Sequence, residues 1–137
     1  MADILLVDDE SLVRETIAAM LRRQEHAVVS AGDGSEALQK IGEGRFDIVL
    51  MDILMPTMEG IETISKIKKD YPNIKILAMS GGGSFGGHNY LDVALKLGAA
   101  DIIRKPFTSA DLRTKIEGLT GNGLGPIANQ GDASPGS

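Results

Sequence analysis

Five short apolar runs alternate along this chain with segments whose apolar residues recur every three or four positions. Such runs are typical of β-strands buried on both faces, and the intervening spacing is typical of amphipathic helices. The alternation predicts a βαβαβαβαβα chain, which forms a parallel sheet with helices on both faces. The predicted strands are residues 3–8, 27–31, 46–51, 74–80 and 100–104.

Apolar stripes mark four of the five predicted helices, and we expect these stripes to pack in the core. The remaining helix, residues 34–41, follows Asp33 and contains Glu36, which have the spacing of a capping box. Thr108 and Asp111 have the same spacing before the last helix. The stripes are Val13, Ile17, Met20 and Leu21; Ile61, Ile64 and Ile67; Leu91, Ala94 and Leu95; and Leu112, Ile116 and Leu119.

Acidic residues stand at the ends of two predicted strands. Asp8 and Asp9 follow the first apolar run, and Asp52 follows the third. In an open α/β sheet these positions border the crevice where ligands bind, and the strand order 2-1-3-4-5 would bring the three acids together. Three carboxylates in a poorly solvated site need an offsetting charge, and a divalent cation is the obvious candidate.

Two further polar residues end predicted strands at the same edge, Ser80 on the fourth strand and Lys105 on the fifth. A hydroxyl and an ammonium can donate to phosphoryl oxygens, while a carboxylate can accept the phosphoryl group. Pro106 suits a cis peptide bond that would aim Lys105 back into the site. Alone, either residue is more often a plain strand-end or surface residue, so the prediction rests on the combination.

Composition limits the class of protein. The 137 residues are 42% hydrophobic, which predicts one globular domain. The net charge of −5 argues against a nucleic-acid or anionic-membrane surface, and the absence of cysteine excludes disulfides and thiolate sites. No apolar run approaches the roughly 20 residues that span a bilayer, and no signal peptide is visible. We therefore expect a cytoplasmic protein.

The polar residues at the strand ends, taken in order, resemble the signature of the receiver domain of two-component response regulators. The resemblance covers residues 3–119, and it is specific because five signature positions occur in order. It implies a flavodoxin-like, doubly wound (βα)5 domain over residues 1–119, and the Gly-, Pro- and Ser-rich residues 120–137 are expected to form a disordered tail. The matching segments are Asp8-Asp9, Asp52-Ile-Leu-Met-Pro56, Ser80 and Lys105-Pro-Phe107.

The resemblance implies how the acidic residues would divide their roles. Asp52 would be the phospho-acceptor. Asp9, Asp52 and the backbone carbonyl of Leu54 would bind Mg²⁺ or Mn²⁺ directly, and Asp8 would act mostly through metal-bound water. Ser80 would donate a hydrogen bond to the phosphoryl group.

The same resemblance gives Lys105 a phosphoryl oxygen as its partner, or Asp52 before phosphorylation. It also indicates a switch that departs from the family pattern. Ile102 stands where receivers often carry an aromatic residue, so we expect it to repack instead. Gly81 and Gly82 begin a segment, residues 81–87, with five glycines in seven positions. We expect this segment to become ordered on phosphorylation, the alternative being a connection without a role.

A stand-alone phosphorylation switch is the function that the resemblance implies. It would receive its phosphoryl group from a sensor histidine kinase or a histidine phosphotransfer protein. It would catalyse only its own phosphorylation and dephosphorylation, and so would not be a conventional enzyme. Its output would be contact with a downstream protein, or further transfer as a phosphorelay intermediate, without direct nucleic-acid or membrane binding. It would be a monomer or a weak dimer through helix 4, strand 5 and helix 5.

Three other classes fit the residues less well. A haloacid-dehalogenase-type phosphatase needs an Asp-x-Asp-x-Thr pattern after the first strand, where this chain has Asp8-Asp9-Glu10. A flavodoxin-like FMN protein needs phosphate donors there, and two carboxylates would repel the phosphate. A degenerate receiver that works only through protein contacts would not need all five signature residues.

Overall fold

The computed structural model describes residues 1–53, 59–81 and 88–120, within two compact units, Met1–Pro106 and Phe107–Ser137. The first unit contains the whole sheet and the first four helices, and the second contains the last helix. Leu54, Gly82 and the tail beyond Thr120 lie outside the described residues. The elements are β1 (Asp3–Val7), α1 (Ser11–Arg23), β2 (Ala27–Ala31), α2 (Gly34–Glu43), β3 (Ile48–Asp52), α3 (Glu59–Asp70), β4 (Lys75–Gly81), α4 (His88–Leu97), β5 (Asp101–Lys105) and α5 (Ser109–Thr120).

The five strands form one parallel sheet in the order β2-β1-β3-β4-β5, which confirms the predicted topology. The strand register sets the height of each functional residue at the carboxyl edge. Val7 pairs with Met51, so Asp8 and Asp52 directly follow the same rung. Asp52 in turn pairs with Met79, the residue before Ser80.

The sheet is covered on both faces within the first unit. Leu5 and Val7 belong to a core cluster that includes buried residues of α2, α3 and α4. Ile4 and Leu6 are also fully buried, and alternation along the strand directs them to the opposite face. That face is the one available to α1, which lies against β1 and β2 and whose buried residues are outside the cluster.

Among the stripe residues whose side chains the structure describes, one does not pack as expected. Ala94 of α4 is fully buried, but the neighbouring Leu95 is 41% exposed. One step along an α-helix turns the side chain by about 100°, and this takes Leu95 off the face that carries Ala94. The stripe in α4 is therefore narrower than predicted.

The two predicted capping boxes are both present, with one variation. Asp33 accepts a hydrogen bond from the backbone N–H of Glu36, whose own carboxylate accepts from Gly32 rather than from Asp33. α2 also extends to Glu43, two residues beyond its predicted end. In the second unit, Thr108 and Asp111 form the full reciprocal box at the start of α5, with both bonds 3.0 Å long.

Candidate functional site

Three carboxylates meet at the carboxyl edge of the sheet. Oxygen atoms of Asp8, Asp9 and Asp52 all lie within 4.8 Å of one another. Asp8 is fully buried and Asp52 is 5% exposed, whereas Asp9 faces solvent. At an effective dielectric constant of about 20, two unit charges at this separation repel by about 3.5 kcal/mol. The predicted acid cluster therefore exists, and its two buried members need a compensating positive charge.

The Asp8 carboxylate is held by hydrogen bonds at both oxygens. Its Oδ1 accepts from the backbone N–H of Glu10, just before α1 begins. Its Oδ2 accepts from the ammonium of Lys105 at 2.8 Å. Asp8 thus orders the turn that leads into α1 and also takes part in the charged site.

Lys105 is the positive charge that lies among these acids. Its Nζ is 2.8 Å from Asp8 Oδ2 and 3.5 Å from Asp52 Oδ2, and its side chain is only 18% exposed. The predicted pairing with Asp52 is present, but the shorter contact is with Asp8. The peptide bond between Lys105 and Pro106 is cis, as the residue types suggested.

The ammonium is stabilised in its charged form. Burial by itself lowers the pKa of Lys105, but its hydrogen bond to Asp8 and the charges of Asp52 and Asp8 outweigh burial. The net result is a pKa above the usual value of 10.5, so Lys105 is protonated at neutral pH. The three carboxylates and one ammonium then give the site a formal charge of −2.

Of the remaining predicted residues, Ser80 and Gly81 lie at the same edge, whereas Ile102 lies near the start of β5. Ser80 is buried and pairs in register with Arg104, the residue before Lys105. Gly81 pairs with Lys105 itself. Ile102 pairs with Ala78 and packs, half-buried, against the core cluster. The backbone carbonyl of Leu54 and the residue Gly82 both fall outside the described residues.

Sequence reasoning missed one side chain that supports the site. Arg14, on the first turn of α1, donates from its guanidinium to the backbone carbonyl of Asp8 at 2.6 Å. A basic residue six positions after Asp8, on a predicted helix, was the available signal. Arg14 fixes the main chain between β1 and α1, from which both Asp8 and Asp9 project.

The donor set decides which cation the site suits. Carboxylate oxygens are hard ligands, and a cluster of them is typical of Mg²⁺, Ca²⁺ or Mn²⁺ rather than of soft metals. The charge of −2 equals what one divalent cation would neutralise. The acids therefore fit a hard divalent cation, and Lys105 supplies a fixed positive charge beside Asp8 and Asp52.

Comparison with known proteins defines the class to which this fold and site belong. The family model described as the response regulator receiver domain matches residues 4–117. The chain belongs to this family, whose members are phosphorylation-dependent switches in two-component signalling. The part of the chain that the structure describes has no helix long and apolar enough to cross a membrane.

Particular relatives place the chain within that family. It is 39% identical over 105 residues to the chemotaxis protein CheY of Thermotoga maritima, with 76% of this chain and 85% of the relative covered. The crystal structure of the receiver domain of NtrX from Brucella abortus matches with a TM-score of 0.78 at 31% identity, covering 85% of this chain and 97% of that one. CheY4 of Vibrio cholerae matches with a TM-score of 0.76 at 30% identity, covering 85% of this chain and 96% of that one.

Several relatives are much longer than the matched region. The chain is 33% identical over 131 residues to the transcriptional regulatory protein CpxR homolog of Haemophilus influenzae, with 94% of this chain covered but only 55% of that protein. It covers 23% of the transcriptional regulatory protein ZraR of Klebsiella oxytoca. The likeness therefore describes a receiver module, and the output of the whole protein is a separate matter.

Proposed function

We propose that Asp52 is the residue that accepts the phosphoryl group. The observation that supports this choice is the position of its carboxylate, nearly buried at the strand edge and 3.5 Å from the ammonium of Lys105. Asp8 is less suited because it is fully buried and both of its oxygens are already hydrogen-bonded. Asp9 is exposed to solvent, and the ion pairs of Lys105 are with Asp8 and Asp52.

The acids of the cluster would hold Mg²⁺, or Mn²⁺ in its place. Asp9 and Asp52 would be direct ligands, together with the backbone carbonyl of Leu54, and Asp8 would act mostly through bound water. When bound, the cation neutralises the oxygens of the transferring phosphoryl group. Asp8 and Lys105 would keep the cluster preorganised, because their 2.8 Å contact fixes one buried charge before the cation arrives.

The phosphoryl transfer can be written with its bonds balanced. A carboxylate oxygen of Asp52 attacks phosphorus, an O–P bond forms, and the N–P bond of a phosphohistidine breaks. The electron pair of that bond stays on the histidine nitrogen, which remains in the donor protein. Lys105 and Ser80 would donate hydrogen bonds to the phosphoryl oxygens as their charge redistributes. These groups belong to the receiver, so it would catalyse its own phosphorylation and, with water as the nucleophile, its dephosphorylation.

The phosphorylated site would signal by contact with another protein. The partners would be a sensor histidine kinase or phosphotransfer protein upstream and a protein target downstream, all in the cytoplasm. Ser80, Gly81, Gly82 and Ile102 would carry the switch. The second candidate output is onward phosphotransfer, in which this protein would be a phosphorelay intermediate and would use the same site. Amide exchange at Ile102, with and without beryllofluoride, tests whether the switch reaches β5.

The decisive experiment is labelling with a small phosphodonor such as acetyl phosphate. We expect a Mg²⁺-dependent, hydroxylamine-labile label that is lost in Asp52→Asn and retained in Asp70→Asn, which changes an exposed acid at the end of α3. Equal labelling of wild type and Asp52→Asn would refute the assignment. Multiple turnover of an external phosphate ester would instead favour the phosphatase class.

A further inference from the structure

A glycine at the start of α3 lies against the main chain of the proposed phospho-acceptor. Gly60 is the second residue of α3, and it is buried. A Cβ atom built on it would lie 2.5 Å from the carbonyl oxygen of Asp52 and 2.7 Å from the Cα of Ile53. Both of these are backbone atoms, so no side-chain rotation can relieve the contact. The helix therefore approaches the end of β3 more closely than any residue with a Cβ allows.

The peptide unit that Gly60 contacts is also held from the other side. The backbone N–H of Ile53 donates to the carbonyl of Met79 on β4 at 3.0 Å. Asp52 itself pairs with Met79 in the sheet. The peptide between Asp52 and Ile53 thus lies between β4, through a hydrogen bond, and α3, through a direct backbone contact.

A glycine in this position calls for a specific reason, because glycine weakens a helix relative to alanine. Gly60 does not need an unusual backbone conformation, since Gly98 is the glycine with positive φ in the described residues. The close approach supplies the reason. By contrast, a Cβ on Gly118 in α5 would meet nothing within 4 Å, and one on Gly42 in α2 would meet only Tyr71 Oη at 3.9 Å.

We propose that Gly60 is a positioning residue for phosphorylation: it lets α3 press on the Asp52–Ile53 peptide and so fixes where the Asp52 carboxylate stands. The proposal rests on the function proposed above for Asp52. A Cβ contact shorter than 3.0 Å essentially never occurs, so Gly60→Ala must separate the helix and the peptide by about 0.5 Å or more. Displacements approaching 1 Å at a reacting group can lower rates by about a hundredfold.

The test compares labelling rate constants for folded protein at saturating Mg²⁺ with acetyl phosphate as donor. We expect Gly60→Ala to lower the rate constant at least tenfold. Gly42→Ala, at a helical glycine whose added Cβ makes only an ordinary contact with Tyr71, should keep the wild-type rate. Ile67→Val shortens a buried side chain of the same helix, so it weakens the packing of α3 without touching Asp52. It should also keep the wild-type rate.

A second measurement follows the contact directly. The amide ¹H–¹⁵N resonance of Ile53 reports the hydrogen bond to Met79, and we expect it to shift in Gly60→Ala and to stay in place in Ile67→Val. A purely structural role for Gly60 predicts that both variants behave alike once the fraction of unfolded protein is corrected for.

Three other outcomes would overturn the inference about Gly60. Wild-type rate constants in folded Gly60→Ala would overturn this inference alone, whereas an unlabelled wild-type protein would overturn the proposed function and the inference with it. If Gly60→Ala does not fold, it is remade with Gly42→Ala and Gly118→Ala, which favour α2 and α5. A triple variant that still does not fold would also overturn the inference, because Gly60 would then be a requirement of the fold.

Discussion

Lys105 contacts two buried carboxylates, so removing its charge should destabilise the fold. The size of this loss should depend on whether a divalent cation is bound. Lys105→Met keeps most of the side-chain volume and removes the charge. With a dielectric constant of about 20, the ammonium attracts Asp8 at 2.8 Å by about 6 kcal/mol and Asp52 at 3.5 Å by about 5 kcal/mol. Desolvation of the ammonium offsets part of this, and breaking a buried pair on one side costs about 3–5 kcal/mol. We expect Lys105→Met to lose about 3 kcal/mol in the presence of a chelator.

Urea unfolding followed by far-UV circular dichroism measures this loss, in chelator and at saturating Mg²⁺. Because the cation supplies the missing positive charge, Mg²⁺ should stabilise Lys105→Met by more than it stabilises the wild type. Lys66→Met, which changes an exposed lysine on α3, is the matched control and should change stability by less than about 0.5 kcal/mol.

A double variant identifies the source of the cost. If the unpaired charge of Asp8 causes the loss, Lys105→Met should cost much less in an Asp8→Asn background, since that background has no buried charge at Asp8 to leave unpaired. A full 3 kcal/mol loss in that background, or no loss of stability in Lys105→Met with chelator, would refute the electrostatic reasoning.

Three further predictions follow from individual contacts. The folded-state pKa of Lys105 lies above 10.5, so its contribution to the free energy of unfolding should be constant at lower pH and decline as pH rises through that pKa. The difference in unfolding free energy between wild type and Lys105→Met, measured in chelator across alkaline pH, should therefore shrink as pH rises through the folded-state pKa. Thr108→Ala removes one bond of the capping box with Asp111 and should cost about 1 kcal/mol in urea unfolding, and a cost near zero would exclude a capping role. Gly98 has φ of +124° and its added Cβ would clash with Cγ of Lys68, so Gly98→Ala should lower stability by about 1–3 kcal/mol. Lys68→Ala should recover only part of that loss, because the backbone strain remains; full recovery would show that the strain is negligible.

The sequence was sufficient for the sheet and for the residues at its edge, because both follow from short-range patterns. The period and length of the apolar runs predicted the five strands to within two residues at every end. The acids after the first and third runs then favoured the order that puts β1 beside β3. Those acids meet because the strands are parallel and in register, and this geometry does not depend on side-chain detail.

Contacts that depend on three-dimensional distances were not available from the pattern. Nothing in the sequence indicated that Lys105 would lie nearer to Asp8 than to Asp52, because both acids end neighbouring strands. The tight approach of Gly60 to Asp52 was equally hidden, although a glycine directly before the predicted helical stripe that starts at Ile61 was a visible signal. Leu95 was misjudged because helical spacing does not say how wide a face the neighbouring elements cover.

The register of the sheet also determines where residues can be inserted without disturbing the acid cluster. A slip of one residue between β1 and β3 would move Asp52 about 3.3 Å along its strand and turn its side chain to the opposite face. The distance from Asp8 to Asp52 is therefore set by backbone ladders and not by the connections that precede the strands. Insertions in the turns before β2 and β3, which lie at the far edge, should leave the acid cluster intact. The same insertion inside β3 would abolish the acid cluster, because the register of the sheet sets the distance between its members.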